Sequence, residues 1–291
     1  MGRCLLGLAL LAGACQARLA DLPPESDDAG VDGPATQPDA FMLGAWGAAA
    51  KVGGASSATL SEDDGTLSST GLEIVFAITD AVNGGKDLYY ASRLSTTSAW
   101  TMPAALGLNT VGPSEETPRF SGDDLTLYFA SNRVAANGLD IYRVSRTAVG
   151  GAWTAAALVT GPNSTANEKW YTPCGGDRYL VIVGGDIAQG TIGGGAPALV
   201  SSLSAVGASE TGTFLTQDCL TTYFASVRSG ANRIYTSTRA AVTDPWPAPT
   251  IVNDFLALGG NQEDPWLSPD QRTFVFASDV SGTKDVYIST R

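Results

Sequence analysis

Short apolar runs recur along this chain, each flanked by acidic and glycine-rich stretches. Five segments align: SEDDGTLSSTGLEIVFAIT from Ser61, SEETPRFSGDDLTLYFASNR from Ser114, EKWYTPCGGDRYLVIVGGD from Glu168, SETGTFLTQDCLTTYFASVR from Ser209, and NQEDPWLSPDQRTFVFASDV from Asn261. Their central apolar residues are Phe76, Phe129, Ile182, Phe224 and Phe276, at steps of 53, 53, 42 and 52 residues. A second strand pattern follows each core: KDLYYASR near Asp87, LDIYRVSR near Asp140, NRIYTSTR near Asn232 and KDVYISTR near Asp285, with only PALVSSL near Leu199 in the third unit. Trp46, Trp100, Trp153 and Trp246 precede four of the five units.

Each unit therefore predicts four short strands. A Trp-led strand leads to an acidic turn and a strand containing Phe120 or Leu267. An apolar strand such as LTLYFAS follows, then the Asp-Ile-Tyr strand. The apolar strand alternates little, as expected of a strand buried on both faces. Pairs such as Gly122-Asp123 supply tight turns. No long run of period 3.6 competes with this reading. Four strands per unit at a period near ~50 predicts an all-β fold, a β-propeller of five four-stranded blades.

The segments resemble the TolB-type (WD40-like) propeller repeat, in which a Pro and Ser-Pro-Asp-Gly precede an aromatic strand ending in Ala-Ser and then Asp-Ile-Tyr. EDPWLSPDQRTFVFASDVSGTKDVYIS, from Glu263 to Ser289, carries the pattern best, and the third unit departs from it most. The resemblance spans 44–291 and implies the fold, not a function. The final unit lacks a Trp-led strand and the first has a spare one around Trp46. An N-terminal strand is therefore expected to complete the last blade and hide a sheet edge.

Composition narrows the chemistry. The net charge of −12 excludes a basic nucleic-acid face. The absence of histidine removes Ser-His-Asp and Cys-His catalysis and any His-containing zinc site. Carboxylate-only chemistry remains. No cofactor and no metal is expected. The glycine-rich stretch from Gly184 lacks a Gly-Lys-Ser/Thr ending, so it is not a phosphate loop.

Residues 1–15 read MGRCLLGLALLAGAC: one basic residue, a short apolar run, then small residues before Cys15. The run is too short to cross a bilayer and reads as an export signal. Its LAGAC ending resembles a bacterial lipobox, although Ala12 stands where that motif usually has Leu. The resemblance implies acylation of Cys15 and an exported, outer-membrane lipoprotein. Residues 16–43, rich in Pro, Asp, Gly and Ala, read as a disordered tether.

Acidic residues recur where each inner strand should begin: Glu62 and Asp63, Glu115 and Glu116, Glu168, Glu210, Glu263 and Asp264. Glu62, Glu115, Glu116, Glu168, Glu210 and Glu263 are the candidate binding residues of a channel mouth, suited to a cation or an amine. Alternatively, repeated acids bond backbone amides and hold successive blades. The aromatic pair Trp170-Tyr171 is a further candidate for the opening near the degenerate third blade. Cys174 and Cys219 form a disulfide or remain as two buried thiols.

The resulting expectation is a monomeric, envelope-anchored, non-enzymatic binding or scaffolding module. Its partner is an envelope protein or a glycan, and it meets the membrane only through the lipid anchor. The alternative is a carboxylate-dependent glycoside hydrolase or lyase acting on polysaccharide, which needs two carboxyl groups flanking one bond.

Overall fold

The computed structural model describes residues 43–291 apart from 55, 57–58, 81–84 and 135–137. The signal expected at 1–15, its Cys15, and the tether up to residue 42 lie outside the described residues.

Five antiparallel sheets of four strands make up the fold. The inner strands are Ser61–Leu67, Glu115–Phe120, Glu168–Pro173, Glu210–Leu215 and Gln262–Leu267. Each contacts the next, and the last contacts the first, so they ring a central channel. Behind them run the middle strands Glu73–Asp80, Thr126–Ser131, Arg178–Val183, Thr221–Ser226 and Thr273–Ser278. These carry the most apolar sequence because a neighbouring blade covers each face. Phe76, Phe129, Ile182, Phe224 and Phe276 are all buried there. Burying one such side chain stabilises the fold by about 1.5–3 kcal/mol.

The ring closes through the N-terminal strand, as the repeat predicts. Ala50–Lys51 pairs antiparallel with Asp285–Thr290 and supplies the outer strand of the last blade. The Gly47 amide donates to the Thr290 carbonyl, and the Val52 amide to that of Val286, each at 2.9 Å. Trp46 packs on Phe255 and Phe274.

Closure also completes a repeated contact. Arg93, Arg146 and Arg239 stack on Trp100, Trp153 and Trp246 at 4.3, 4.5 and 4.1 Å from the ring centres. Arg291 stacks on Trp46 at 4.1 Å, reproducing the pair across the two ends of the described chain.

The third blade has no such pair, and exposed Ile192 follows its third strand, Asp186–Thr191. It is held otherwise. Gln189 accepts hydrogen bonds from Trp246 Nε1 and Arg239 Nη1 of the fourth blade, at 2.9 and 3.2 Å. A disulfide joins Cys174 to Cys219 with Cα atoms 5.3 Å apart. In a chain-entropy account a loop of this size stabilises by about 4 kcal/mol.

Deleting residues 44–52 should expose the edge of Asp285–Thr290 and abolish cooperative melting or cause aggregation. Deleting 17–40 should move the melting temperature by no more than a few degrees. Equal melting curves for the two truncations would show that the ring does not depend on this strand.

Candidate functional site

Every inner strand is broken at the same place. The pairing register shifts between Asp63 and Thr66, Glu116 and Arg119, Lys169 and Thr172, Thr211 and Phe214, and Glu263 and Trp266. The residue after the first of each pair is left-handed: Asp64, Thr117, Trp170, Gly212 and Asp264, with φ between +50° and +60°. Such a conformation is costly for a β-branched Thr or a bulky Trp. Gly212 is required for a second reason. A Cβ there would lie 2.5 Å from the Asp264 backbone. Bulges of this kind re-aim side chains. Here consecutive residues of one strand reach the same small cluster, which simple alternation would forbid.

The cluster is asymmetric. The first and fifth blades supply Asp63, Asp64, Glu263 and Asp264. The second supplies Glu116, while the third supplies Lys169 and Trp170. Lys86 Nζ lies 2.7 Å from Asp63 Oδ2, 3.1 Å from Asp64 Oδ2 and 3.7 Å from Glu116 Oε2. Lys169 Nζ reaches Glu116 Oε2 at 3.0 Å. Lys284 Nζ reaches Glu263 Oε2 at 2.6 Å and Asp63 Oδ2 at 3.7 Å. Trp170 Nε1 donates to Asp64 Oδ1 at 2.9 Å, and the Asp64 amide donates to Asp264 Oδ2 at 3.3 Å. The aspartates are buried, whereas the lysine side chains keep 24–34% of their surface exposed. Lysines therefore cover the acids. Asp63 Oδ1 and Asp264 Oδ1 are buried and accept no hydrogen bond.

Five carboxyl groups thus meet three ammonium groups and, deeper in the channel, the Arg119 guanidinium. Burial, reinforced by the charge of Asp64, pushes Asp63 up to about 7. Burial and the charges of Asp64 and Glu263 raise Asp264 well above the usual carboxylate range. Burial acts on Asp64 in the same sense, but Lys86 and Lys169 outweigh it and hold Asp64 below its usual range. Burial would lower Lys86 and Lys284, yet the facing acids raise both. A proton-holding carboxyl beside an ionised one is an arrangement suited to acid–base chemistry.

The residues expected at the mouth separate into two groups. Glu116 and Glu263 join the cluster. Glu115, Glu168 and Glu210 do not. They sit one position earlier and bond within their own blades and the preceding loops. Glu115 accepts from Thr110, Ser131 and Arg133, Glu168 from Ser164, and Glu210 from Ala205, Ser226 and Arg228. Glu62 is buried at the equivalent first position. Trp170 belongs to the channel, while Tyr171 packs between Tyr128 and Tyr179. Asp64 was missed. No three His, Cys, Asp or Glu residues are placed to hold a metal ion among the described residues.

No protein-family model matches the chain, and no curated protein matches it. Among solved structures it is similar to the endo-arabinase from Bacteroides thetaiotaomicron, with 11% identity, 80% of this chain and 95% of that chain covered, and a TM-score of 0.57. It is similar to a family 117 glycoside hydrolase from the marine bacterium Zobellia galactanivorans, with 10% identity, coverage of 84% and 89%, and a TM-score of 0.53. A TolB protein from Agrobacterium tumefaciens shares 18% identity over 75% of this chain and 69% of that chain, with a TM-score of 0.49. At these identities the first two likenesses establish the propeller fold.

One expectation is corrected. The non-enzymatic binding or scaffolding module rested on there being no asymmetric carboxylate set. The bulges assemble such a set, and glycan-cleaving enzymes stand among the chains that share this fold.

Asp63 and Asp64 should respond oppositely to removal of charge. A carboxyl whose folded pKa lies above its unfolded value loses stability as pH rises between the two. Asp63→Asn should therefore stabilise the protein at pH 8, on the order of 1–3 kcal/mol, with the gain gone by pH 4. Asp64 contributes stability above its unfolded pKa, so Asp64→Asn should destabilise at pH 8. Urea unfolding at both pH values checks this. Destabilisation by Asp63→Asn at pH 8 would contradict the assignment.

Proposed function

We propose that this protein is a carboxylate-dependent enzyme that cleaves polysaccharide, a glycoside hydrolase or lyase working at the acid-lined mouth of the propeller. The carrying observation is Asp63: a buried carboxyl raised to about 7, with one oxygen unbonded, beside the ionised Asp64. The endo-arabinase and the family 117 glycoside hydrolase support the reading by acting on glycans with the same fold.

In hydrolysis, Asp63 would give its proton to the glycosidic oxygen as that bond breaks. A second carboxylate, Glu116 or Glu263, would take a proton from the attacking water, so that charge is conserved. Lys86, Lys169 and Lys284 form the exposed surface above the acids. An anionic glycan such as a polyuronate would draw these ammonium groups onto its own carboxylates and uncover Asp63.

The test is product release from arabinan and polygalacturonate by the purified protein. Reducing ends alone indicate hydrolysis, and an unsaturated uronyl product indicates elimination. Asp63→Asn should lower kcat/KM at least about 100-fold with an unchanged circular dichroism spectrum. The wild-type rate should fall above about pH 7. Turnover that survives Asp63→Asn, or no release from either glycan, would refute the proposal.

The same reading puts the protein outside the cytoplasm, where polysaccharide is met. The Cys174–Cys219 disulfide suits an oxidising compartment. The lipobox-like LAGAC favours an anchor at Cys15. Cys15→Ser should shift the protein from the membrane fraction to the soluble one. Unchanged fractionation would remove the anchor from the account.

A further inference from the structure

Below the acids, the channel holds a second unusual group. Arg119, near the end of the inner strand Glu115–Phe120, is 1% exposed and heads the largest fully buried side chains. Its Nη atoms donate only to backbone carbonyls: Pro118 at 3.1 Å, Pro265 at 3.3 Å and Gly65 at 3.5 Å. Its Nε donates to nothing. No carboxylate reaches ion-pair distance of it among the described residues. A desolvated guanidinium with no carboxylate bonded to it is costly to maintain: Asp64 and Asp264 act on it only at a distance, and nothing replaces the water lost at its Nε.

Arg119 borders a cavity of about 230 Å³ at the mouth opposite the lysines, where the inner strands end. Leu67, Phe120, Phe214 and Trp266 provide apolar wall, and Gln217 is part of the polar lining. The Phe214 and Trp266 rings meet edge to face, with centres 6.2 Å apart. Like the acid cluster, this layer breaks the repeat. Thr66, Arg119, Thr172, Phe214 and Trp266 occupy the same position in successive blades, and only one of them is charged.

We propose that this cavity is a second ligand site, separate from the acid-lined mouth, and that it takes a small monocarboxylate with a flat ring. The carboxylate pairs with Arg119, whose planar fork matches it, and the ring lies against the aromatic wall. The site draws on none of the carboxyl groups assigned to catalysis, so it stands or falls independently of the enzymatic reading.

Calorimetric titration of the full chain with benzoate, and with benzamide as its uncharged isostere, tests it. Benzoate should bind at least about tenfold tighter than benzamide. Gly122→Phe should abolish benzoate binding with an unchanged melting temperature. Gly122 is exposed on a turn, its backbone is not left-handed, and a side chain there enters the cavity against Gln217. Arg119→Gln should bring the two affinities to within about twofold. If that variant does not fold, the wild-type pair of ligands and Gly122→Phe decide the matter. Asp63→Asn should leave benzoate affinity within about twofold, which assigns the binding to this mouth. Equal affinity for the two probes, no benzoate binding in the tens of millimolar, or full binding by Gly122→Phe would overturn the proposal.

Discussion

A blade of this propeller has two apolar faces, and only a neighbour on each side covers both. Val75 and Phe76 are adjacent in one strand, point to opposite faces and are both buried. The same holds for Val275 and Phe276. A single blade released from the ring would expose both faces, so the blades are stable only together. That makes the last contact, between the first and fifth blades, as necessary as any other. A two-residue strand could not hold it by its ladder alone. Trp46 on Phe255 and Phe274, the stacked Arg291 and the 2.5 Å pair between Lys51 and Asp285 add side-chain packing and charge to that short ladder.

The same ring sets the shape and the strain of the channel. Five inner strands crowd one axis, and each carries a left-handed residue near its start. The conformation appears whether the residue is Asp, Thr, Trp or Gly, so it belongs to the fold and not to one side chain. Blade-to-blade contacts such as the bidentate Arg146–Glu73 pair, at 2.9 and 2.6 Å, hold the frame that enforces it. A conformation imposed in every blade gives every blade two consecutive positions in the channel. What differs between blades is the chemistry placed there.

This division explains what the sequence disclosed. The frame was legible because it repeats: the apolar middle strands, the four tryptophans and the spare first strand all recur in register. Glu115 and Glu210 recur for the same reason. Each accepts from a serine and an arginine later in its own blade, a repeated structural unit. Their recurrence therefore marked the frame and not the mouth. Asp64 was hidden because its position holds Asp, Thr, Trp, Gly and Asp in turn, with no common type to align. Strict alternation would also have put Asp63 and Asp64 on opposite faces, and a bulge leaves no residue signature in such a varied column. Comparing the second and third positions of each inner strand for departures from the repeat would have found both. Arg119 could have been found the same way.

The departures also have an energetic logic. Buried acids that hold protons, and a guanidinium with no carboxylate bonded to it, each lower the stability of the folded state. A propeller can carry such residues in its channel because stability resides elsewhere, between the blades, where the aromatic and aliphatic side chains are. The charged channel residues lie outside the apolar clusters between the blades, whereas Trp170, Phe214 and Trp266 belong to them, so the charged positions are the ones that vary at least cost to the core. Here the two ends of the channel diverge. One gathers acids beneath lysines, and the other sets a lone cation above aromatic walls. Arg119 lies between them, and its charge acts on both Asp64 and Asp264. A carboxylate bound beneath Arg119 would weaken that pull, moving Asp64 up toward its usual range and Asp264 further above its own. The two mouths are thus joined electrostatically through one buried side chain, although no backbone element needs to move.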